Sequence, residues 1–403
     1  MDFTYCKLRD ILISIHSGGT PSTTIKEYWG GPYKWLSSGE TGQRFISDTV
    51  DTITERGINE SSTKLAKRGS VVMACAGQGK TRGQTSYLLD DMYVNQSVIV
   101  LNPNRKIVLP LYLFYDLTGR YEELRGGSDA SSTRGSITTT SIKTLAFHYP
   151  SIREQEKIVS ILYAYDNLIE VNNKRIKVLE QMAENLYKEW FVRFRFPGYE
   201  TAEFENGLPK GWRRGRISDF YTTSSGGTPS REHDEYYDNG TIPWIKTGEL
   251  QDCLLIDTEE EITEVAVKKS SAKLFPKDSV LMAMYGVNIG MLAYSTMEAT
   301  CNQACCVFCD KATISTKHYL FQCLKSIRDY LLLISFGAAQ QNLSQDLIKR
   351  IRIVMPDEDT LNRFEQRIEP LYHETQLMLK TNACLIRQRD WLLPRLMSGK
   401  LEV

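Results

Sequence analysis

Residues 150–198 read PSIREQEKIVSILYAYDNLIEVNNKRIKVLEQMAENLYKEWFVRFRFPG, and the rest of the chain is arranged around this segment. Ser151, followed three residues later by Glu154, forms a capping box, which is typical of the start of a helix. The Pro-Gly pair at 197–198 is a combination that stops helices. We therefore predict one long helix over residues 151–198.

Apolar residues recur along this helix at alternating steps of four and three, the heptad pattern of a helix that packs against another helix. The seam positions are Ile158, Leu162, Tyr165, Ile169, Asn172, Ile176, Leu179, Ala183, Leu186 and Trp190. A shift of 206 residues gives a second seam in which seven of ten residues are apolar: Phe364, Ile368, Leu371, Thr375, Met378, Asn382, Leu385, Arg389, Leu392 and Leu396. Residues 357–403 are therefore predicted to form the partner helix, with Pro370 and Pro394 as candidate kinks.

Two blocks of short strands and turns precede the two helices, and the second repeats the first. A Ser-Gly-Gly-Thr-Pro-Ser turn occurs at 17–22 and again at 225–230, an offset of 208 residues. An Asn-Gln pair recurs at an offset of 207. Landmarks in constant order indicate an internal duplication. The predicted order is a first domain (1–150), a first helix (151–198), a second domain (199–356) and a second helix (357–403).

This order fixes the direction of the helices. Because each helix follows one domain, two helices that pack along their seams must run antiparallel. The predicted fold class is α+β, with two tandem-repeat mixed α/β domains, two long helices forming an antiparallel coiled coil, and pseudo-two-fold symmetry. A helix of ~40 residues spans ~60 Å, so we expect the domains to lie about that far apart. One register places Asn172 opposite Asn382, a polar layer that costs stability but fixes register.

The first block also predicts individual elements. Short apolar runs favour strands at 70–76 and 97–101, and residues 111–117 favour a helix. Glycine, serine and threonine dominate residues 126–140, which predicts an exposed, mobile loop.

Composition limits the classes of function. The 403 residues include 49 basic and 49 acidic side chains, so the chain as a whole has no electrostatic attraction for DNA. Neutrality favours local basic patches, or partners that contribute to DNA binding. Nine cysteines, no N-terminal signal sequence and no apolar run approaching ~18 residues predict a soluble, cytoplasmic protein without a membrane segment.

Motifs for catalysis or cofactor binding are incomplete. The Gly-Lys-Thr at 79–81 resembles the end of a phosphate-binding loop, but the first glycine of that motif is replaced by Ala74. Four cysteines lie between residues 301 and 309, yet in a strand Cys305 and Cys306 would point to opposite faces, which prevents a shared zinc site. The sequence contains no recognisable S-adenosylmethionine loop or Ser-His-Asp arrangement, so we predict a non-catalytic chain without metal or cofactor of its own.

The repeated motifs resemble one family. Each block carries a Gly-Gly-Thr-Pro-Ser turn, a Trp followed by Gly-Glu, and a glycine loop before Asn-Gln. Leu-Pro-Lys-Gly-Trp at 208–212 opens the second block, and Arg-Leu-Met-Ser-Gly-Lys-Leu at 395–401 closes the chain. Over its whole length the chain resembles the specificity (S) subunit of a type I restriction–modification enzyme. One departure is the second helix start, Pro-Asp-Glu-Asp at 356–359, which lacks the Glu-Gln of the first.

The resemblance implies a DNA-binding function. Each block would be a target recognition domain that reads one half of a bipartite site in double-stranded DNA. The helices would set the spacer between the halves and dock two methylation (M) subunits, which restriction (R) subunits join. Catalysis, S-adenosylmethionine, ATP and Mg²⁺ would belong to those partners, and this chain would be non-catalytic.

Loop residues able to hydrogen-bond to base edges are the candidate DNA contacts. They are Gln78, Lys80, Arg82, Ser132, Thr133 and Arg134 in the first domain, and Lys246, Asn288, Gln340, Gln341 and Asn342 in the second. Two other functions stay open: a stand-alone two-headed DNA-binding protein, and a self-contained DNA adenine methyltransferase, which the missing cofactor loop opposes.

Overall fold

The computed structural model describes residues 1–77, 79–129, 135–311, 316–335 and 342–403, without the side chains of 127–129. The chain forms two compact units. The first comprises Met1–Leu168 and Leu385–Val403, and the second comprises Ile169–Cys384. Among the described residues no helix is both long and apolar enough to cross a membrane.

The first unit combines short strands with short helices and the first half of a long helix. Its strands are β1 (Thr4–Lys7), β2 (Leu12–Ser17), β3 (Trp29–Leu36), β4 (Phe45–Ile46), β5 (Asp51–Ile53), β6 (Lys64–Ala66), β7 (Val71–Ala74), β8 (Thr85–Leu88), β9 (Met92–Val94), β10 (Val98–Pro103) and β11 (Ala146–Tyr149). The helices are α1 (Leu8–Ile11), α2 (Glu55–Asn59), α3 (Pro110–Gly119), α4 (Tyr121–Asp129) and α5 (Thr139–Thr144). The long helix α6 (Ile152–Tyr187) continues from the first unit into the second.

The second unit has a comparable set of elements. Its strands are β12 (Phe204–Glu205), β13 (Leu208–Pro209), β14 (Arg213–Arg216), β15 (Tyr221–Ser225), β16 (Ile242–Ile245), β17 (Cys253–Leu255), β18 (Glu261–Ile262), β19 (Ser279–Ala283), β20 (Leu292–Ser295), β21 (Thr300–Cys301), β22 (Cys305–Asp310) and β23 (Arg352–Met355). The helices are α7 (Ile217–Phe220), α8 (Glu264–Lys269), α9 (Lys317–Ser326), α10 (Arg328–Ser335), α11 (Gln345–Arg350) and α12 (Glu358–Met397).

Sheet topology confirms the duplication. The main sheet has the order β2-β10-β7-β8-β4 in the first unit and β15-β22-β19-β20-β17 in the second, so the order matches strand for strand. Val98 pairs with Ala74 in one sheet and Cys305 pairs with Ala283 in the other, at the register that the sequence offsets give. A second sheet has the order β5-β3-β9-β6 in the first unit and β18-β16-β21 in the second. Both units are therefore built on one mixed α/β plan.

The central strands are buried on both faces. Along β7, Val71 and Met73 join the core beneath α3, whereas Val72 faces a separate core between the sheets. In the second unit Cys305 and Cys306 likewise belong to different cores, which confirms that they point to opposite faces. This alternation follows from the two-residue period of a strand.

The predicted short elements are correct in type. The strand expected at 70–76 is Val71–Ala74, the strand expected at 97–101 is Val98–Pro103, and the helix expected at 111–117 is Pro110–Gly119. Their bounds differ by a few residues because element ends depend on turns and caps that composition specifies poorly.

The prediction of a loop over 126–140 is wrong in part. Residues 126–129 complete α4, and Thr139 begins α5 behind an N-cap at Thr138. Ile137 is buried. Glycine and serine favoured a loop, but packing of Leu124 into the core stabilises the helix, since tertiary contacts override weak propensities. Residues 130–134 lie outside the described part of the chain.

The long helices differ slightly from prediction at their ends. The capping box is confirmed, because Ser151 N–H and Oγ donate to Glu154 Oε2 at 3.1 and 2.8 Å. A π-helical turn over Lys188–Val192 ends the first helix, so the predicted end at residue 198 was too far. The second helix runs unbroken through both of its prolines to Met397.

Within each unit the helical segments run antiparallel, as predicted. In the first unit Lys157 Nζ donates to Val403 O at 2.8 Å and Asp166 accepts from Arg389, so residue numbers that rise along α6 are paired with numbers that fall along α12 and the residues after it. In the second unit Asn172 contacts Asn382 and the ring of Trp190 lies near that of Phe364. All twenty seam positions are buried or half-buried. The heptad pattern therefore corresponds to the contact face.

Candidate nucleic-acid interface

The Gly-Gly-Thr-Pro turn is a structural joint in both units. A Cβ atom on Gly18 would lie 1.9 Å from Val94 O, and one on Gly226 would lie 1.8 Å from Cys301 O, so only glycine fits. The indole N–H of Trp35 donates to Gly19 O at 3.3 Å. The second unit repeats this bond from Trp244 to Gly227 at 3.1 Å. These shared residues maintain the scaffold.

The acidic residue of each Gly-Glu motif has a structural role as well. Glu40 accepts hydrogen bonds from the backbone N–H groups of Ser37 and Val50 at 3.0 and 2.8 Å. Glu249 accepts equivalent bonds from Lys246 and Glu259 at 2.7 and 2.9 Å. Because both carboxylate oxygens bind backbone donors, these glutamates stabilise a turn.

Two glycine loops occupy equivalent places. The first loop (residues 76–83) follows β7, and the second loop (residues 285–290) follows β19. Gly83 N–H donates to Ala74 O at 2.9 Å, and Gly290 N–H donates to Ala283 O at 2.8 Å, closing both loops in the same way. The first loop leads into strand β8. A phosphate-binding loop leads into a helix N-terminus, so this loop does not have that geometry.

In each unit the base of the glycine loop is hydrogen-bonded to a residue that the structure describes just after the other predicted contact segment. Ile137 N–H donates to Cys75 O at 2.9 Å, which joins the base of the first loop to the segment before α5. Leu343 N–H donates to Met284 O at 2.8 Å, which makes the same connection before α11. Each glycine loop is thus joined at its base to a segment that is distant in sequence.

The predicted residues of the first unit have different environments. Lys80 is exposed, and its carbonyl accepts a hydrogen bond from Tyr121 Oη at 2.7 Å. Arg82 is half-buried and its Nη1 donates to Gly135 O at 2.8 Å, so this arginine connects the two segments. Gln78, Ser132, Thr133 and Arg134 lie outside the described residues.

In the second unit two of the predicted contact residues bind other parts of the same unit. Asn288 Nδ2 donates to the carbonyls of Thr247 and Gly248 at 2.9 and 3.3 Å. Lys246 Nζ lies 2.8 Å from Glu259 and 2.9 Å from Glu260. Asn288 therefore positions the second loop, and the positive charge of Lys246 is balanced by two carboxylates. Gln340 and Gln341 lie outside the described residues.

Of the predicted residues that the structure describes in the second unit, Asn342 is the exposed one. It forms an isolated antiparallel bridge with Tyr285 at the start of the second loop. The fully exposed Val287 lies two residues further on, and sequence reasoning missed it because valine is usually a core residue. An alignment of the two glycine loops could have identified Val287, because this residue lies in the part of the loop that differs between the two units.

The pKa shifts of one lysine and two cysteines in these regions agree with structural roles for their side chains. The hydrogen bonds that the Lys246 ammonium donates to Glu259 and Glu260 raise the pKa of Lys246, so this side chain stays charged within that cluster. Burial raises the pKa of the Cys75 thiol at the base of the first loop. A hydrogen bond with Cys301, together with burial, raises the pKa of Cys305. Thiols that stay protonated are poor nucleophiles and poor metal ligands. Across the described residues no His, Cys, Asp and Glu cluster could hold a metal ion.

Comparison with known proteins gives a consistent relationship over nearly the whole chain. Residues 1–181 and 209–379 match the family model of the type I restriction modification DNA specificity domain. The type I restriction enzyme MjaIX specificity subunit of Methanocaldococcus jannaschii is 28% identical over 425 residues, which cover 100% of this chain and 94% of that protein. The HindI specificity subunit of Haemophilus influenzae is 26% identical over 440 residues, covering 91% of this chain and 94% of the relative.

A solved structure shares the fold. The crystal structure of the type I restriction-modification S subunit from M. genitalium superposes with a TM-score of 0.62 at 15% identity, covering 98% of this chain and 96% of that one.

Proposed function

This chain belongs to the family of type I restriction modification DNA specificity domains, and on that premise we propose that it is the specificity subunit of a type I restriction–modification complex. The observation that carries the proposal is the duplicated fold: two units share a main sheet of the same strand order and the same glycine and tryptophan joints. One scaffold used twice is suited to a site with two separate halves. The units differ in their glycine loops, where two different sequences can be read.

Each recognition domain, 1–150 and 199–356, reads one half-site in the major groove of double-stranded DNA. The major groove distinguishes all four base pairs by hydrogen-bond pattern and by the thymine methyl group. Exposed loop side chains such as Lys80 and Asn342 are suited to this task. Internally bonded side chains such as Asn288 position the loops.

The helices determine the spacer and provide the docking surface for partners. Two methylation subunits bind to them, and restriction subunits join that assembly. S-adenosylmethionine, ATP and Mg²⁺ are held by these partners, and this chain contributes sequence recognition without catalysis. The complex acts on DNA in the cytoplasm.

Methylome sequencing tests the proposal. In a host that carries the methylation gene, methylated adenines at a bipartite site are expected only when this gene is present. Exchange of residues 1–150 for those of a relative is expected to change one half-site and leave the other intact. Change of both half-sites, or methylation that persists without this gene, contradicts the proposal.

Two binding measurements separate the alternatives. Tight site-specific binding by the chain alone indicates a stand-alone DNA-binding protein. Binding of radiolabelled S-adenosylmethionine by the chain alone indicates a self-contained methyltransferase. We expect neither.

A further inference from the structure

Val287 projects from the tip of the second loop and is fully exposed. The loop around it is fixed at both ends. Tyr285 bridges to Asn342 on the preceding side, and Gly290 N–H donates to Ala283 O at 2.8 Å on the following side. The side chain of Val287 is therefore presented to solvent on an anchored backbone.

The residues that follow Val287 face into the unit. Asn288 Nδ2 donates to the carbonyls of the 247–250 turn at 2.9, 3.3 and 3.4 Å. Ile289 is buried in the main core of the second unit. Gly286 has a φ of +88° and open space around its Cβ position, which lets the chain turn outward before the tip. In this half of the loop Val287 is the outward-facing side chain.

The two glycine loops share the residues that close them and differ in the residues between. The alanines and glycines that close the loops are equivalent, but eight residues lie between Ala74 and Gly83, and six lie between Ala283 and Gly290. The first loop exposes Lys80, a cationic donor, whereas the second exposes an apolar valine. The two loops therefore present chemically different side chains to solvent.

We propose that Val287 packs against the C5-methyl group of a thymine in the second half-site. This assignment rests on the function proposed above and adds the class of base that one residue reads. A valine cannot hydrogen-bond to a base edge, and thymine carries the apolar group of the major groove. Valine is also stiff about χ1, so a fixed backbone sets the position of its methyl groups and little entropy is lost on contact.

Replacement of thymine by uracil tests the contact, because uracil lacks only the C5-methyl group. The chain is purified in complex with its methylation subunits, and binding is measured on duplexes with deoxyuridine at each thymine of the second half-site in turn. One replacement is expected to weaken wild-type binding about fourfold, the size expected for one methyl group returned to water. Val287→Ala is expected to weaken binding to the thymine duplex and to bind the thymine and uracil duplexes equally.

Val50→Ala is the matched control, because Val50 is an exposed valine of the first unit. It is expected to retain the fourfold preference for thymine. The inference is overturned if the second half-site has no A·T pair, if wild-type binding is indifferent to every uracil, or if Val287→Ala keeps the wild-type preference. In each of these cases bipartite methylation still occurs, so the proposed function stands. Absence of any bipartite methylation overturns both.

Discussion

Asn172 Nδ2 donates a hydrogen bond to Asn382 Oδ1 at 2.8 Å across the helix pair of the second unit. Both asparagines are buried, and Asn382 Nδ2 donates in turn to Asn173 at 2.9 Å. The register predicted from the heptad pattern is therefore present. A buried amide pair of this kind lowers stability relative to apolar residues and fixes alignment, since a slipped register would leave the amides unpaired.

Substitutions at this pair should be strongly non-additive. Asn172→Ala leaves Asn382 Oδ1 buried without its donor and is expected to lower the free energy of unfolding by about 1–3 kcal/mol. The double variant Asn172→Leu with Asn382→Leu removes both polar groups and is expected to be at least as stable as the wild type. Urea denaturation measures both effects. A double variant less stable than Asn172→Ala contradicts this account.

Asp166 is the ionic centre of the helix pair in the first unit. Its carboxylate accepts hydrogen bonds from Arg389 Nη1 at 2.6 Å, Arg44 Nε at 3.0 Å and Tyr115 Oη at 2.8 Å, with a side chain 2% exposed. Asp166→Asn is expected to lower the free energy of unfolding by about 3–5 kcal/mol, because two arginines lose the buried carboxylate that they share. The matched control is Asp390→Asn, which removes an exposed partner of Arg389 and should cost less than about 1 kcal/mol. If denaturation experiments show that the two variants lose the same free energy of unfolding, Asp166 is not a buried ionic centre.

Asp116 should make stability depend on pH. Burial raises the pKa of its carboxyl from 3.8 to about 6, despite the nearby Arg120. Because the folded state binds the proton more tightly than the unfolded state, stability falls as pH rises from about 4 to about 6 and is level above that. Asp116→Asn is expected to remove this pH dependence, which amounts to roughly 3 kcal/mol in the free energy of unfolding. The variant should therefore be more stable than the wild type at pH 7. Urea denaturation between pH 4 and 8 measures the difference, and identical slopes for the two proteins refute the prediction.

Lys80 and Lys246 should behave differently although both were candidate DNA contacts. Lys80 is exposed on a loop held by Tyr121, so Lys80→Ala is expected to weaken binding by about 1–3 kcal/mol and relax specificity at one position of the first half-site. Lys246 is paired with Glu259 and Glu260, so Lys246→Met should leave DNA specificity unchanged. Binding of the complex to single-base variants of the site provides the measurement. A loss of specificity from Lys246→Met would reverse these assignments.

Lengthening both helices should lengthen the spacer in the DNA site. Four residues inserted between Ile176 and Leu179, and four between Met378 and Leu385, add ~6 Å to each helix and a net turn of ~40°. One base pair advances ~3.4 Å and turns ~34–36°, so the rotation matches one base pair. Methylome sequencing is expected to find the same half-sites with a spacer longer by one base pair, or by two, because the ~6 Å added to each helix lies between one and two base pairs. An unchanged spacer would mean that the methylation subunits alone set it.

The sequence determined the features that depend on periodicity and repetition. Heptad spacing identifies the buried face of a helix, and this was enough to pair Asn172 with Asn382 and to give the antiparallel direction. The repeated turns were enough to predict the duplication, because the same local chemistry forms the same joint at Gly18 and Gly226. These properties follow from local geometry that a single chain carries in its residue order.

Contacts between distant parts of the chain determine which partners the polar side chains bind, and which side chains are buried or exposed. Asn288 and Lys246 have the chemistry of DNA contacts, yet the 247–250 turn and two glutamates engage them first. Asp116 and Asp166 lie on helices as ordinary acidic residues, and only the approach of distant segments buries them. Val287 would be assigned to a core by hydrophobicity, but an anchored loop places it in solvent. In each case the deciding contact joins residues far apart in sequence, where neither periodicity nor composition carries the information.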